Sequence, residues 1–273
     1  MFLNFNYLGI FIFIILLYLI YNCYKKNINE YFFSRNNNYQ IDITEFKNNI
    51  NYNMIKPEEF TYIFWSGGYS STFRLIQLLL LEEKPVQTIY INLDNEEKNR
   101  LEIEHMKEIR ELLCKNYPIV KNRFPPTMYV SKIKRNPELK KQFDNLHTKY
   151  GFFEFDSSKD KFELMARYSY YHDYPIEICI DKDEYHLNNA IKKFLEKKSK
   201  FTSKKLNTLP IHYIDLNIFK NCRFPLVDFT KEEMKNTTIR NNFYYIIKKS
   251  WTCTNSKNNL ACNECPNCLK RIV

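Results

Sequence analysis

The amino-acid sequence predicts an α/β protein built on a parallel sheet with helices on both faces. Short apolar runs of strand length alternate with longer, helix-compatible stretches, and no internal repeat interrupts the alternation. Strands separated by helices of this length pair in parallel and are covered on both faces. The predicted strands lie near residues 61–65, 86–91, 127–131 and 175–181, and the predicted helices near 72–83, 96–114, 159–172 and 184–197.

The first 26 residues are predicted to form a transmembrane anchor. No charged side chain occurs from Phe2 to Tyr24, and Lys25 and Lys26 follow at once. A stretch of about 20 such residues can cross a bilayer, although Asn4, Asn6 and Asn22 confine its strongest apolar part to the middle. A cleaved signal peptide would carry a basic side chain before the apolar run, and none is present. Because the lysines follow the run, we expect a single-pass membrane protein, held through residues 2–24, with a cytosolic soluble domain.

Residues 27–58 are rich in asparagine and lack a clear period, so they are predicted to be a tether with at most a short helix. The main domain is expected over residues 59–250, followed by a small module at 251–273. About 215 residues suffice for one substantial core with such a module appended. The helix near 96–114 carries an apolar stripe that we assign to this core, formed by Ile103, Met106, Ile109 and Leu113.

Two of the four glycines, Gly67 and Gly68, directly follow the first predicted strand and precede a helix-compatible stretch. A tight turn there exposes backbone N–H groups at a helix N-terminus, where the helix dipole also favours an anion such as phosphate. A P-loop of the kinase and GTPase type needs a lysine after the glycines, and this turn has none. The same residues could instead form a plain turn with Ser71 or Thr72 as the helix N-cap.

Four of the eight cysteines follow one another near the end of the sequence, with eight, two and two residues between them. Gaps of two residues let successive thiolates face one ion, and four sulfur ligands complete a tetrahedral zinc site that leaves no position for water. The spacing therefore predicts a structural zinc knuckle formed by Cys253, Cys262, Cys265 and Cys268. A disulfide pair or unrelated buried thiols are the alternatives, and a reducing location favours the metal.

The net charge of +10 and a run of seven lysines between positions 192 and 205 are compatible with nucleic-acid or anionic-lipid binding. The chain is also rich in Asn, Lys, Ile, Tyr and Phe together, a bias that an AT-rich genome produces without selection for binding. The five histidines show no metal-site or triad spacing. Charge alone therefore does not define a partner. The lysines are Lys192, Lys193, Lys197, Lys198, Lys200, Lys204 and Lys205.

The glycine loop and the C-terminal cysteines together resemble the PP-loop ATP pyrophosphatases of the adenine nucleotide alpha hydrolase-like superfamily, and most closely 7-cyano-7-deazaguanine synthase. The resemblance covers about residues 59–273 and implies a Rossmann-like sheet with a C-terminal zinc knuckle. Its specific motifs are the loop Ser66-Gly67-Gly68-Tyr69-Ser70-Ser71, the segment from Pro225 to Met234, Ser250-Trp251-Thr252-Cys253 and Cys268-Leu269-Lys270-Arg271.

One loop position departs from the family pattern Ser-Gly-Gly-x-Asp-Ser, because Ser70 stands where the aspartate belongs. A carboxylate there can help to hold Mg²⁺ or orient phosphates, whereas a neutral hydroxyl binds a hard dication poorly. Asp94, just past the apolar run at 89–91, could supply a nearby carboxylate. It could equally cap a helix, since Glu97 three residues later suits a capping box.

The resemblance implies cleavage of ATP between its α and β phosphates, with Mg²⁺ accompanying the nucleotide. A substrate oxygen attacks the α-phosphorus, AMP is transferred, pyrophosphate departs, and a nucleophile such as ammonia then displaces AMP. The resemblance further implies catalytic roles for Ser70 and Lys231, with Lys231 as a cation on the phosphates. The residues expected to bind the nucleotide are Ser66, Gly67, Gly68, Tyr69, Ser70, Ser71 and Thr72.

Three functions follow as hypotheses. The first is an ATP-dependent ligase or amidase of the deazaguanine-synthase type in queuosine biosynthesis, acting on a small carboxylated base. The second is a tRNA-modifying enzyme of the same superfamily, for which the lysine run would matter. The third is a catalytically silent nucleotide-binding module tethered to a membrane, which the serine at position 70 favours.

Overall fold

A computed structural model of the chain describes residues 39–42, 55–92, 96–150, 159–183, 192, 218–253, 255–256, 259–265 and 268. The chain divides into two compact units, residues 1–39 and 40–273. All described residues except Tyr39 belong to the second unit, which contains the sheet core, the glycine loop and the four C-terminal cysteines.

The described part of the chain contains a six-stranded sheet in the order β1-β4-β3-β2-β5-β6. Strand β2 pairs in parallel with β3 and β5, β3 with β4, and β5 with β6. The predicted α/β fold with a parallel sheet is therefore confirmed. The strands are β1 (Tyr39–Asp42), β2 (Thr61–Phe64), β3 (Val86–Ile91), β4 (Met128–Ile133), β5 (Ile176–Glu177) and β6 (Cys222–Arg223).

Six α-helices connect or follow these strands in the described residues. The first, α1 (Tyr69–Ile76), continues through a π-helical turn at Gln77–Leu81, and short 3₁₀ segments lie at Pro57–Glu59 and Pro118–Asn122. The others are α2 (Glu96–Asn116), α3 (Pro137–Tyr150), α4 (Lys159–Tyr171), α5 (Lys231–Arg240) and α6 (Tyr244–Ile247).

Alternate residues of the central strand β2 pack against helices on opposite faces of the sheet, as the two-residue period of a strand requires. Ile63 lies in the main core together with Phe73 of α1 and Ile109 of α2. Its neighbour Phe64 packs edge-on against Tyr168 of α4, with ring centroids 5.8 Å apart. Helices therefore cover both faces, and the predicted apolar stripe of α2 contributes to the core.

Several boundaries differ from the sequence-based expectation. Strand β1 lies within residues 27–58, which were predicted to be a tether with at most a short helix. Helix α1 begins at Tyr69, three residues before the expected start near 72, because Gly68 rather than Ser71 or Thr72 is its N-cap. The predicted helix at 184–197 lies outside the described residues except for Lys192, and Asp94 also lies outside them.

The prediction of a single-pass membrane protein is corrected by the structure. Across the described residues, no helix combines the length and the apolar character needed to cross a bilayer. The apolar run at 2–24, on which the prediction rested, lies outside the described residues.

Candidate functional site

The carboxyl ends of the parallel strands bring the predicted site residues together. Strand β2 lies between β3 and β5, so the chain leaves β2 towards β3 and β4 on one side and later returns to β5 and β6 on the other. In open parallel sheets such a change of direction opens a crevice at the carboxyl ends, where ligands bind. The loop at 65–68 leaves β2 at this crevice, and the segment after β5 brings Asp181 to the same edge.

Gly67 has a backbone conformation in this loop that favours glycine. Its φ of +68° belongs to the left-handed region that side chains disfavour. A Cβ built there would lie 3.1 Å from Met106 Cγ and 3.2 Å from the Glu102 carbonyl oxygen, so the missing side chain lets the loop rest directly on α2. Gly68 is less constrained, because its φ is −71° and the nearest atom to its Cβ position is 3.5 Å away.

The start of α1 offers backbone donors to the crevice. The first helical hydrogen bond runs from the Thr72 N–H to the Gly68 carbonyl at 2.9 Å, so the N–H groups of Tyr69, Ser70 and Ser71 precede the helical ladder. The Ser71 hydroxyl donates to the Gly68 carbonyl at 3.2 Å and stabilises the turn. These N–H groups and the helix dipole could receive an anion.

Thr72 differs from the prediction that it binds the nucleotide. Its side chain is fully buried, and its hydroxyl oxygen accepts a hydrogen bond from Trp65 Nε1 at 3.1 Å. Since its N–H already bonds to Gly68, neither group faces the crevice. Thr72 therefore fixes the loop to the end of β2.

The two residues predicted to be catalytic, Ser70 and Lys231, meet at a third residue, Asp181. The Ser70 hydroxyl donates to Asp181 Oδ2 at 2.5 Å, and Lys231 Nζ lies 3.8 Å from the same oxygen. The Asp181 carboxylate is fully buried, whereas the Lys231 side chain is 16% exposed and can still reach the crevice. The fold thus places a hydroxyl, a carboxylate and an ammonium group at the N-terminus of α1.

The N-terminus of α5 holds Lys231 in this position. Thr230 caps the helix in a capping box with Glu233, and the Lys231 N–H donates to Asp183 Oδ2 at 2.7 Å. The Asp183 N–H in turn donates to Asp181 Oδ1 at 3.0 Å. The segment after β5 therefore fixes both the backbone and the side chain of Lys231.

A buried ion pair keeps α1 in place beside β5. Arg74 of α1 donates to both carboxylate oxygens of Glu177, at 2.7 and 2.9 Å, and both residues are buried. Such a bidentate pair fixes geometry as well as charge. It aligns the start of α1 with the strand that leads to Asp181.

Sequence reasoning missed Asp181 and Asp183. The signal for Asp181 was present, because it directly follows the apolar run at 178–180 at the end of a predicted strand. The same argument was applied to Asp94 after the neighbouring strand. What no local pattern could show is that Ser70, 111 residues away, lies against Asp181.

The four predicted zinc ligands come together at the other side of the loop. Their sulfur atoms all lie within 4.8 Å of one another, with 3.6 Å between Cys253 and Cys262 and 3.9 Å between Cys262 and Cys268. Zn–S bonds of about 2.3 Å in a tetrahedron separate sulfurs by about 3.8 Å. The cluster of Cys253, Cys262, Cys265 and Cys268 could therefore hold a metal ion such as zinc.

The surroundings of these thiols shift their pKa values in opposite directions. Backbone N–H groups, first that of Glu264 and then that of Cys265, lower the pKa of Cys262. Burial raises the pKa of Cys268 to about 12. Four thiolates this close repel one another, and a divalent cation would remove that repulsion. Its four protein ligands would leave no coordination position for a substrate or water.

The cysteine cluster is attached to the glycine loop through Trp251. The Trp251 N–H donates to the Gly67 carbonyl at 2.9 Å, and its ring stacks on His105 of α2 with centroids 4.8 Å apart. Trp251 also packs with Leu101, Cys253 and Cys265 in a small apolar cluster. The knuckle therefore contacts the loop through Trp251.

The remaining sequence candidates lie elsewhere or are not described. Lys192 forms an ion pair with Asp228 at 2.9 Å, and the other lysines of the run at 192–205 lie outside the described residues. His172 packs among aromatic rings, with its centroid 4.7 Å from that of Tyr62. Burial lowers the pKa of His172, which fits a structural side chain.

Comparison with known proteins gives one match. The family of the Queuosine biosynthesis protein QueC matches residues 202–272, a segment that includes Lys231 and all four clustered cysteines. The glycine loop lies outside the matched segment. The match supports a relationship to the PP-loop superfamily, whose members use ATP. No curated protein and no solved structure matches the chain significantly.

Proposed function

We propose that this chain is an ATP-dependent adenylating enzyme of the PP-loop type that forms AMP and pyrophosphate. The observation that carries the proposal is the glycine turn at the start of α1, beside which the fold places Ser70 and Lys231. The match of the C-terminal segment to the QueC family supports the same assignment. We infer a small carboxylated base of the queuosine pathway as the substrate.

The proposed reaction uses backbone donors more than side-chain chemistry. An oxygen of the substrate carboxylate bonds to the α-phosphorus, the bond from that phosphorus to the bridging oxygen of the β-phosphate breaks, and pyrophosphate leaves with the electron pair. The N–H groups of Tyr69, Ser70 and Ser71 stabilise the charge that develops on the leaving group. Lys231 contributes a positive charge at the same place. A nucleophile such as ammonia then displaces AMP from the acyl adenylate.

One observation favours a second candidate, a nucleotide-binding protein without turnover. The loop carries the hydroxyl of Ser70 in place of a carboxylate, and a hydroxyl alone is a weak ligand for Mg²⁺. Such a protein would bind ATP through the same backbone donors but would not catalyse exchange of pyrophosphate into ATP. The two candidates therefore differ in turnover and agree in binding.

Calorimetry and pyrophosphate exchange together test the proposal. The full chain with its metal is titrated with ATP, and exchange of labelled pyrophosphate into ATP is then measured with carboxylated deazaguanines. Lys231→Met should weaken ATP binding by about tenfold or more, since a charge-assisted hydrogen bond contributes about 1.5–3 kcal/mol. Lys140→Met, in an exposed ion pair with Asp144 on α3, is the matched control. Absence of ATP binding overturns the proposal, and binding without exchange supports the second candidate.

A further inference from the structure

The hydrogen bond between Ser70 and Asp181 determines what Ser70 can offer to a ligand. At 2.5 Å the Ser70 proton is directed at Asp181 Oδ2, because a carboxylate has no proton of its own to donate. The lone pairs of the Ser70 oxygen then face away from Asp181. Ser70 is partly exposed, so these lone pairs are available at the start of α1 as an acceptor for a cation.

Asp181 is built as a fixed negative charge behind that hydroxyl. Its side chain is fully buried, yet each carboxylate oxygen has a compensating group: the Asp183 N–H at 3.0 Å from Oδ1, and the Lys231 ammonium at 3.8 Å from Oδ2. A buried charge is tolerated only when it is paired and hydrogen-bonded. Asp181 therefore does not reach a ligand itself, but its charge acts through Ser70.

A second feature near this position is a buried hydroxyl without a hydrogen-bond partner in the described part of the chain, that of Tyr69. The hydroxyl of Tyr69 is buried and has no hydrogen-bond partner among the described residues, although the side chain is only 7% exposed. Burial, followed by the nearby Tyr244 and Asp181, raises the pKa of Tyr69. A buried phenol normally has a hydrogen-bond partner, so this unmet hydrogen bond indicates a ligand or water close to Asp181 and to Tyr244, whose hydroxyl is also unpartnered among the described residues.

We propose that Ser70 and Asp181 act as one cation site, in which the Ser70 oxygen contacts the Mg²⁺ that accompanies the nucleotide and Asp181 is the positioning residue behind it. The inference rests on the proposed function. A hydroxyl alone is a weak ligand for Mg²⁺, but a carboxylate that accepts its proton and orients it from behind strengthens its binding. The negative charge that the loop lacks at position 70 is thus supplied from the end of β5.

The arrangement also explains why position 70 is neutral. A carboxylate at position 70 would stand against Asp181, and two like charges in contact are mutually destabilising. The site accommodates one carboxylate, and the fold places it at position 181. An exchange of the two side chains should therefore preserve the site, whereas loss of either one should not.

The proposal is tested by titrating Mn²⁺ into the full metal-loaded chain with ATP present. Electron paramagnetic resonance measures the affinity for Mn²⁺. Asp181→Asn and Ser70→Ala should each weaken Mn²⁺ binding by about 10- to 100-fold, the usual cost of losing a supporting or contacting ligand. ATP affinity in EDTA is measured by calorimetry for each variant, and the Mn²⁺ titrations are run at saturating ATP, so that a loss of Mn²⁺ affinity is separated from a loss of nucleotide affinity. The exchange variant Ser70→Asp/Asp181→Ser should keep Mn²⁺ affinity. Asp173→Asn, the same charge change at the opposite end of β5, is the matched control.

The outcomes separate this inference from the proposed function. If the wild-type chain binds ATP in EDTA but Asp181→Asn and Ser70→Ala bind Mn²⁺ as tightly as wild type, the cation site is wrong and the proposed function stands. If the exchange variant folds but loses Mn²⁺ affinity together with the single variants, Asp181 has only a structural role. If the wild type has no affinity for ATP, both proposals are overturned.

Discussion

Ser70 shows why a single residue of a binding loop has to be interpreted with its neighbours in space. On the sequence alone its hydroxyl is a loss relative to an aspartate, because a carboxylate ligand is missing. In the structure the hydroxyl donates to Asp181 at 2.5 Å, so a carboxylate is present but comes from the segment after β5. Restoring an aspartate at position 70 would place a second negative charge in the same space.

Ser70→Asp is therefore expected to lower the free energy of unfolding at neutral pH. The two facing carboxylates would hold one proton between them, which raises their folded-state pKa above the unfolded value of about 3.9. The folded protein then binds more protons than the unfolded one, so the lost stability returns as the pH falls through the raised pKa. Urea unfolding of the variant from neutral to mildly acidic pH checks this. Ser70→Asn, which adds no charge, should show no such pH dependence, and a pH-independent loss in Ser70→Asp would contradict the prediction.

Gly67 and Gly68 provide a matched pair of single-residue tests. Gly67→Ala is expected to lower the free energy of unfolding by at least about 1–2 kcal/mol, the cost of a side chain at positive φ, because its Cβ would also press on Met106 and the Glu102 carbonyl. Gly68→Ala has an allowed φ and ordinary contacts, so its unfolding free energy should stay near wild type. Denaturant unfolding measures the free energy of unfolding of both variants. Equal losses of unfolding free energy would show that position 67 does not require glycine.

At the scale of elements, the start of α5 is what brings a cation to the loop. The capping box between Thr230 and Glu233 sets the first turn, and Lys231 is its first residue. Hydrogen bonds from the Thr230 N–H and hydroxyl lower the pKa of Glu233. A carboxylate with a lowered folded-state pKa stabilises the fold above its unfolded pKa and loses that contribution as the pH falls through the folded value.

Thr230→Ala is expected to destabilise the protein by about 1 kcal/mol, the usual cost of losing an N-cap. It should also weaken ATP binding, because the cap fixes the turn from which Lys231 extends. Thr237→Ala, on the same helix, removes a hydroxyl that donates to the Glu233 carbonyl and accepts a long hydrogen bond from Arg240 on the exposed face, and it should leave both quantities close to wild type. Thermal unfolding and calorimetry measure the two effects, and similar behaviour of the two variants would argue against a role for the cap.

Elements with a strong local signal were predictable, and those defined by tertiary contacts were not. Strand β3 was predicted with its observed bounds, because an apolar run of strand length sits between polar turns. Strand β6 has two residues, too few for any periodicity. Helix α3 was missed among charged residues, although Asn136 caps it and Pro137 begins it. The glycine loop and the cysteines were found from their spacing, whereas Asp181 joined the site only through folding.

On the scale of the whole molecule, the cysteine cluster and the glycine loop are connected through one residue, Trp251. Trp251 donates to the Gly67 carbonyl and packs beside Cys253 and Cys265. A metal ion that fixes the cysteines therefore also fixes Trp251 and, through it, the glycine turn. The knuckle therefore supports the glycine turn through Trp251.

Metal removal should consequently reduce ATP binding as well as stability. We expect one zinc per chain from the four sulfur ligands, and chelation or Cys262→Ser should lower the Tm and weaken ATP binding in calorimetry. Cys114→Ser, outside the cluster, should change neither. Elemental analysis gives the zinc content. A zinc-free chain that is less stable but binds ATP with unchanged affinity would show that the knuckle and the loop are independent.

The bond from Trp251 to Gly67 also has a consequence for biosynthesis. Gly67 is synthesised before Trp251, whose N–H donates to the Gly67 carbonyl. The strands and helices that lie between these two residues in the sequence are therefore synthesised before that hydrogen bond can form. A growing polypeptide can therefore assemble much of its sheet while the glycine turn still lacks the hydrogen bond from Trp251. On the proposed function, the ability to bind a nucleotide is therefore acquired only after Trp251 has docked.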